Sequence, residues 1–399
     1  MQYPRRIPPA DFTRLSPRQA EVRVKMGRYG EDDTTELMKT FLNYPEFVRS
    51  IGRIATRATL TSDLPPRLAR LAALRTVWLC DSEYLWAHLR EQHPPVEITP
   101  EQLRELANAA PRAALAGMEK HIVEAIDELH ATHYLSDEKW YRIDRLAPNA
   151  VMDAMTIYAF FVTLAAAANS MGVQLEAALA RHADEFTTLK AGGSSNEGDV
   201  APRKLPKRVF EADYANLSPQ QIEQTNRMGR RGKPDTSKLQ KAMINYPDFL
   251  KAIAAFGKRA IDNTCLPARV WQLACMRTVW ICDSEYLWSQ HRKACLKLGV
   301  TDEDLLGVAE GPKSSSLKSF DRVVVSAVDD MYYRNRISDE NWSQFDQFGS
   351  EGVTDFMLVY GLYILQSCVA RNFGTTLEDG SLGYLPELEK FRVGQHVRR

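Results

Sequence analysis

The stretch Arg75-Thr-Val-Trp-Leu-Cys-Asp-Ser-Glu-Tyr-Leu-Trp86 decides how the rest of the chain is interpreted. It recurs, with a single Leu-to-Ile exchange, as Arg277-Thr-Val-Trp-Ile-Cys-Asp-Ser-Glu-Tyr-Leu-Trp288. Two strings this similar within one chain mark a structural unit that occurs twice. We therefore looked for other motifs related by the same shift of 202 residues.

The shift relates motifs throughout both halves of the chain. It places Asn43-Tyr-Pro45 on Asn245-Tyr-Pro247 and Ser136-Asp-Glu138 on Ser338-Asp-Glu340. Further matched positions are Met26-Gly-Arg28 and Met228-Gly-Arg230, Leu64-Pro65 and Leu266-Pro267, Trp140 and Trp342, Asp153 and Asp355, Tyr158 and Tyr360, and Gly172 and Gly374. The match holds without a gap to about Glu176, which predicts two copies of one domain.

We predict two domains, residues 1–190 and 203–399, joined by a flexible linker at 191–202. The linker is predicted from its Gly- and Ser-rich composition. A repeat of this length exceeds the ~20–50 residues of a solenoid unit. We therefore expect an intrachain pseudo-dimer whose halves meet across a pseudo-twofold interface.

The charge and hydropathy of the chain argue against several classes of partner. Lys plus Arg and Asp plus Glu both number 51, so the net charge is zero. A nucleic-acid or anionic-membrane partner would favour a basic surface, and neither is predicted. The longest apolar stretch, Ala159 to Ala168, is too short to span a bilayer, and the N-terminus lacks the apolar segment of a secretory signal.

Cysteine spacing indicates the cellular compartment. The six cysteines are Cys80, Cys265, Cys275, Cys282, Cys295 and Cys368. Five of them fall in the second half, and none forms a Cys-x-x-Cys. This distribution is typical of free thiols in a reducing environment, so a cytoplasmic location is predicted.

The secondary structure is predicted to be all-α, because no segment shows strand alternation between turn signals. Ser16 and Thr99 are predicted N-caps, each followed by proline. One helix is expected to run from Leu64 through the repeated motif to Pro94-Pro95. An apolar helix over residues 150–171 is predicted to be central.

In the second half, polar groups share the apolar stripe of the motif helix. On a helical wheel with Arg277 at zero, Ser284 lies at about −20° and His291 at about −40°. The same stripe contains Trp280 and Trp288, and Glu285 flanks it. Burying an unpaired charge costs several kcal/mol, so these polar groups are predicted to be paired or to line a cavity.

Both interpretations of this stripe are open. Arg277 could pair with Glu285 or Asp355, and His291 could cap the helix end, where a cation is favoured. Alternatively, the same side chains form a pocket. The first half has Leu89 at the position of His291, with a histidine one residue earlier. The halves should therefore differ, with one competent pocket.

The order of these motifs resembles the carboxymuconolactone decarboxylase and alkylhydroperoxidase D-like (AhpD-like) family. The motifs are Leu266-Pro-x-Arg269, Leu273-x-x-x-Arg-Thr-Val-Trp280 and Ser284-Glu-Tyr-x-Trp-x-x-His291. The resemblance implies an all-helical domain that assembles as dimers, trimers or hexamers. It also implies sites near the motif helix and a neighbouring subunit, a role that the fused half could take. A homo-oligomer of pseudo-dimers is thus one predicted assembly.

Thiol peroxidase activity is not predicted. Family peroxidases use a Cys-x-x-Cys followed by His, with an acidic residue upstream. Here Ser284 and Leu287 stand at the cysteine positions and Gln272 at the acidic one, so only His291 matches. The chemistry requires an attacking and a resolving thiol. Cys282 lies two residues earlier and lacks such a partner, which is typical of a small buried side chain.

The decarboxylase branch implies a reaction without a cofactor. By resemblance, Arg277 would hold a carboxylate or enolate, His291 would carry the proton, and Glu285 would assist. The predicted lining of a pocket for a ring-sized substrate is Ser284, Trp280, Trp288, Tyr286, Tyr246 and Cys282. The predicted function is proton transfer, including decarboxylation or lactone processing, on a small cyclic carboxylated substrate. The alternative is a catalytically silent helical subunit or small-molecule binding protein.

A histidine cluster in the first half has some features of a metal site. His121, Glu124, Asp127 and His130 lie on one predicted helix, and the last two have the i, i+3 spacing of bundle metal sites. The second half has no equivalent set, and a solvated helix face is the favoured interpretation. We predict neither a metal nor a cofactor.

Overall fold

A computed structural model describes residues 3–27, 31, 34–92, 96–108, 113–192, 205–227, 236–349 and 351–392. These residues form α-helices and short 3-10 turns without any β-strand, which confirms the all-α prediction. The predicted linker residues 193–202 and the motif Met228-Gly-Arg230 lie outside the described residues. Residues 191 and 192 belong to the preceding helix rather than to a linker.

Ten α-helices are described in each half of the chain. Those of the first half are α1 (Pro17–Lys25), α2 (Glu36–Phe41), α3 (Pro45–Thr59), α4 (Pro66–Leu79), α5 (Glu83–Glu91), α6 (Pro100–Ala107), α7 (Met118–Thr132), α8 (Asp137–Asp144), α9 (Ala150–Met171) and α10 (Ala180–Gly192). Those of the second half are α11 (Pro219–Arg227), α12 (Lys238–Met243), α13 (Pro247–Ile261), α14 (Ala268–Ile281), α15 (Glu285–Lys297), α16 (Asp302–Glu310), α17 (Ser319–Arg334), α18 (Asp339–Gln344), α19 (Gly352–Phe373) and α20 (Glu389–Arg392). The bounds of α3, α4 and α9 recur in α13, α14 and α19 at the 202-residue shift.

Local sequence explains where several helices begin. Ser16 and Thr99 are N-caps, as predicted, and each hydroxyl accepts a hydrogen bond from the backbone N–H three residues later. The glutamine at that third position returns a hydrogen bond to the cap, which completes a capping box. These reciprocal bonds satisfy donors that the first helical turn leaves unpaired.

The motif helix is broken, which corrects the prediction of one helix reaching Pro94-Pro95. The helix α4 ends at Leu79 and α5 begins at Glu83, and in the second half three residues likewise separate the end of α14 at Ile281 from the start of α15 at Glu285. Asp81 and Asp283, at the equivalent turns, both have φ of 51° in the left-handed region, which L residues rarely enter. Because the wheel assumed a continuous helix, the stripe predicted to join Arg277 with His291 does not exist.

The two longest helices, α9 and α19, form the centre of the protein. Each has 22 residues, and the predicted bounds of α9 are confirmed. By length and composition both helices could cross a membrane. The apolar stretch Ala159 to Ala168 taken from the sequence therefore underestimates the length of the apolar segment. However, 94% of the apolar window of each is buried inside the protein, and core helices of soluble proteins pass the same test.

The two halves share one hydrophobic core. Helix α3 packs against α13, and α9 packs against α19. Gly361 makes the second contact close, because a Cβ there would lie 2.1 Å from the Thr163 hydroxyl oxygen. A larger side chain at residue 361 would push these central helices apart.

Polar contacts between the halves are reciprocal. The guanidinium of Arg6 donates to the Ile337 carbonyl at 2.8 Å, and that of Arg208 donates to the Leu135 carbonyl at 2.8 Å. The 202-residue shift carries the donor Arg6 onto the donor Arg208, and the acceptor Leu135 onto the acceptor Ile337. Such exchange of equivalent contacts is the pattern of an isologous interface.

Candidate functional site

A pocket of about 280 Å³ lies at the break between α14 and α15. Its lining comprises Leu205, Asp283, Ser284, Glu285, Tyr286, Ala370, Arg371, Gly374, Thr375, Thr376 and Leu377. We call it the Arg371 pocket. It brings together three of the predicted site residues, Ser284, Glu285 and Tyr286, with a guanidinium that the sequence analysis did not single out.

Arg371 lies in the last turn of α19, and only 5% of its side chain is exposed. One terminal nitrogen donates to the backbone carbonyl of Asp283 and lies 2.9 Å from that residue's carboxylate. Its Nε has no hydrogen-bond partner among the described residues. A guanidinium carries five N–H donors. Arg371 therefore retains capacity to bind an anion or a developing oxyanion.

Two hydroxyl groups of the pocket are also unpartnered. Ser284 is the N-cap of α15 but makes no side-chain capping bond, and it is 1% exposed. Neither its Oγ nor the Oγ1 of Thr375 has a hydrogen-bond partner in the described part of the chain. Buried hydroxyls are normally satisfied, so two unsatisfied ones in residues that line a pocket are unusual.

Glu285 and Tyr286 present different chemistry to the pocket. Glu285 is exposed, and its Oε1 accepts a hydrogen bond from the Tyr384 backbone N–H at 3.2 Å. The Tyr286 hydroxyl donates to Glu378 at 2.8 Å, and burial raises the pKa of this phenol. The phenol is therefore neutral near pH 7.

Arg277 does not line the pocket but is fully engaged in the protein interior. Its Nε and Nη2 donate to the two carboxylate oxygens of Asp329 at 2.7 and 2.9 Å. Its Nη1 donates to the carbonyls of Val308 and Ala309. Neither Glu285 nor Asp355, the two partners considered from the sequence, pairs with Arg277; its carboxylate partner is Asp329. The carboxylate of Asp355 pairs with another guanidinium, that of Arg259.

His291 lies in an aromatic environment on the far part of α15. Its ring centroid is 5.6 Å from that of Trp271 and 4.9 Å from that of Tyr363. Burial lowers the pKa of His291 to about 4, although the residue keeps some exposure to solvent. It is not among the residues that line the Arg371 pocket. The structure thus does not bring Arg277, Glu285 and His291 to one cavity.

The lowered pKa of His291 predicts a stability loss in acid. Below about pH 6.5 the unfolded chain protonates this residue, whereas the folded protein stays neutral down to about pH 4. The free energy of unfolding should therefore decrease as the pH is lowered from about 6.5 to about 4. Between pH 7 and pH 5, the free energy of urea unfolding should fall by about 1–2 kcal/mol more in the wild type than in His291→Leu. The lower value allows for the partial exposure of His291. Equal losses in the two proteins would contradict this assignment.

The remaining predicted lining residues belong to the core. Trp280 and Trp288 are fully buried, with ring centroids 5.5 Å apart, and both pack on Tyr384. Tyr246 stacks on Phe373 at 5.5 Å. Cys282 ends α14 and is 1% exposed. None of these four predicted residues lines the Arg371 pocket, so any role for them in binding is indirect.

The histidine cluster of the first half is held by ordinary ion pairs. Asp127 accepts from Arg75 at 2.6 Å, and Glu124 lies 2.7 Å from the ammonium of Lys139. Among the described residues, no group of three or more His, Cys, Asp or Glu side chains has the arrangement of a metal site.

Comparison with known proteins gives one match. Residues 247–311 match the model of the Carboxymuconolactone decarboxylase family. The second half is thus decarboxylase-like over this segment. Neither the comparison with curated proteins nor that with solved structures gives a match.

The decarboxylase-like segment runs from the start of α13 to just beyond α16. It contains Ser284, Glu285 and Tyr286 but not Arg371, which belongs to the later helix α19. The relation of the first half to the same family stays a prediction.

Arg371 could have been identified from the sequence by comparing the two halves. The shift of 202 residues places it on Asn169 within two helices of equal length. A charged residue in one copy of an apolar helix, opposite a neutral one in the other, indicates a specific local role. What the sequence could not show is that this residue meets the turn at Asp283.

Proposed function

We propose that the second half binds a small carboxylated molecule in the Arg371 pocket and acts on it by cofactor-independent proton transfer. The carboxylate or a developing enolate would accept from the Nε of Arg371 and from the Ser284 hydroxyl. Glu285 would carry the proton. This is carboxymuconolactone decarboxylase-like chemistry, and the family match of residues 247–311 supports it at that level.

One observation carries the proposal. A guanidinium that is 5% exposed and has an unpartnered Nε lines a pocket of about 280 Å³. Leaving a buried donor of a charged group unpaired is costly, and a ligand oxyanion would remove that cost. The neutral Asn169 at the equivalent position of the first half offers no such charge.

The proton-transfer step follows from the positions of the groups. Proton abstraction from the carbon next to a carboxyl or lactone carbonyl moves negative charge onto the carbonyl oxygen. Donors placed at that oxygen stabilise the transition state more than the ground state. Glu285, adjacent in sequence to Ser284, can take the proton and return it to the same substrate. Loss of CO₂ would follow the same charge distribution.

Binding is tested with benzoate and its neutral analogue benzamide, measured by calorimetry on the full chain. We expect benzoate to bind, and Arg371→Met to weaken it by about 10- to 100-fold, the loss of a charge-assisted hydrogen bond. Benzamide binding should change little. Arg371→Lys, which keeps the charge without the planar fork, should fall between the two.

The matched control is Arg334→Met, because that arginine is 73% exposed and is not among the residues that line the pocket. Urea unfolding of each variant checks that the fold is retained. Unchanged benzoate affinity in a folded Arg371→Met protein would contradict the proposed binding mode.

The alternative function is binding without turnover. It is favoured by the position of His291, the one residue that matches the family peroxidases, outside the pocket lining. The discriminating measurement is exchange of carbon-bound hydrogen for deuterium in a carboxylated muconolactone, followed by NMR in D₂O. Exchange that depends on Glu285, tested with Glu285→Gln, supports proton transfer. Binding with neither exchange nor CO₂ release supports a binding protein.

A further inference from the structure

The first half contains the same pocket, but it is filled. The filled pocket is lined by Tyr3, Glu83, Tyr84, Ala168, Asn169, Gly172, Val173 and Leu175. At the 202-residue shift these become Leu205, Glu285, Tyr286, Ala370, Arg371, Gly374, Thr375 and Leu377, and every one lines the Arg371 pocket. The volumes nevertheless differ, about 10 Å³ against about 280 Å³. The same elements build both pockets, and the eight matched lining positions differ in identity at Tyr3/Leu205, Asn169/Arg371 and Val173/Thr375. A separate pocket of about 390 Å³ in the first half shares Glu83 and Leu175 with this one.

Tyr3 is a side chain that the open pocket lacks. Its hydroxyl lies 3.5 Å from the Oδ2 of Asp81, the residue in the left-handed turn before α5. The guanidinium of Arg336, from the other half, lies over its ring at 4.8 Å. Burial, reinforced by the Asp81 charge, raises the pKa of Tyr3 to about 12. The phenol therefore stays protonated, and its O–H can donate a hydrogen bond to the Asp81 carboxylate.

In the second half Leu205 stands at the position of Tyr3, and a leucine side chain cannot donate to Asp283. The carboxylate of Asp283 instead lies 2.9 Å from Arg371. The Arg371 pocket thus presents a carboxylate and a guanidinium side by side at its wall. In the first half the equivalent carboxylate of Asp81 lies 3.2 Å from the Lys190 ammonium, and its other oxygen accepts from the phenolic hydroxyl of Tyr3.

Charge balance adds a constraint on the ligand. A ligand carrying only a carboxylate would place that charge close to Asp283, and like charges at short range repel. A ligand that also carries a hydroxyl would let Asp283 act as a hydrogen-bond acceptor. Since Asp283 and Arg371 are in contact, the hydroxyl and the carboxylate must be on neighbouring atoms of the ligand.

We propose that the ligand of the Arg371 pocket is a 2-hydroxyaryl carboxylate. Its ring would lie where the Tyr3 ring lies in the first half, its hydroxyl would donate to Asp283, and its carboxylate would bind Arg371. The proposal rests on the binding part of the proposed function, because it assumes that a carboxylate binds at Arg371. The ring carbon that bears this carboxylate has no hydrogen, so the proton abstraction described above does not apply to such a ligand. Only proton addition to that carbon with loss of CO₂ could follow. It adds the aromatic ring and the position of the hydroxyl.

The closing experiment compares three probes on the full chain by calorimetry: salicylate, benzoate and 2-methoxybenzoate. Salicylate should bind about tenfold more tightly than benzoate, because it gains the net contribution of one charge-assisted hydrogen bond. The methoxy analogue has no hydroxyl proton and should show no gain. In Asp283→Asn, the preference of salicylate over benzoate should fall to about one; asparagine tolerates the left-handed backbone at this position.

Two further substitutions exchange the occupants of the pockets. Leu205→Tyr should place a phenol on Asp283 and weaken salicylate binding at least tenfold without loss of unfolding free energy. Tyr3→Leu should open the first-half pocket to p-cresol, which has the tyrosine side chain's structure. The number of p-cresol molecules bound per chain should then exceed that of the wild type by one.

The outcomes separate the two proposals. Benzoate binding that depends on Arg371, without a salicylate preference or an effect of Leu205→Tyr, overturns the assignment of a hydroxyaryl ligand and leaves the carboxylate site standing. Failure of both salicylate and benzoate to bind overturns both. A salicylate preference that persists in Asp283→Asn overturns the role given to Asp283.

Discussion

Replacing Arg277 with Met should lower the free energy of unfolding by about 3 kcal/mol, because the substitution removes one partner of a largely buried ion pair. The guanidinium binds both oxygens of Asp329 and two backbone carbonyls. Burial already raises the pKa of Asp329, and Arg277 is the strongest influence that lowers it. The estimate takes the lower end of the range for buried pairs, because the Asp329 side chain is 18% exposed.

Urea unfolding measures this effect, with Arg334→Met as the matched control. That arginine is 73% exposed in its pair with Asp330, so its loss should cost less than about 1 kcal/mol. The double variant Arg277→Met with Asp329→Leu should be more stable than Arg277→Met alone, because it leaves no buried carboxylate unpaired. If Arg277→Met kept full stability while turnover was lost, the residue would be catalytic, as the family resemblance implied.

Gly374→Ala should lower the free energy of unfolding by about 3–4 kcal/mol, the sum of backbone strain and steric overlap. Gly374 has φ of 63°, in the left-handed region. A Cβ there would lie 2.0 Å from the Pro206 carbonyl oxygen and 2.6 Å from its carbon. These are backbone atoms of the segment that includes Leu205. The clash should therefore also displace one wall of the Arg371 pocket and weaken ligand binding.

Gly380→Ala separates the two contributions. Gly380 has φ of 69°, but an added Cβ would meet nothing within 4 Å. Gly380→Ala should therefore lower the free energy of unfolding only by the strain contribution, about 1–2 kcal/mol. Unfolding in urea gives both values under the same conditions. Equal losses at the two glycines would show that the segment at Pro206 moves aside without cost.

Local sequence signals predicted the helices well. The N-caps at Ser16 and Thr99 and the bounds of α9 depend on neighbouring residues alone, and they are as expected. Three residues of the candidate site, Ser284, Glu285 and Tyr286, were also identified, because they lie within the repeated motif. The fold class needed only the absence of strand alternation, which is a local property too.

The predicted catalytic set failed to converge because a helical wheel assumes an unbroken helix. The left-handed Asp283 ends α14 and turns the chain, so residues before and after it point into different environments. Arg277 then meets Asp329 of α17, and His291 meets Trp271 and Tyr363. Aspartate in the left-handed region gives no clear sequence signal, since the same residue also occupies helices and turns.

The sequence by itself determined the repeat, the helical class and the helix starts, because these depend on composition and on contacts a few residues apart. The tertiary structure alone decided which side chains form the pocket. Arg371 meets Asp283 across 88 residues of chain, and Tyr3 meets Asp81 across 78. Such pairs form where α19 and the extended segments before α1 and α11 pack against the turns at Asp81 and Asp283. Helical periodicity describes neighbours on one helix, so it carries no information about these pairs.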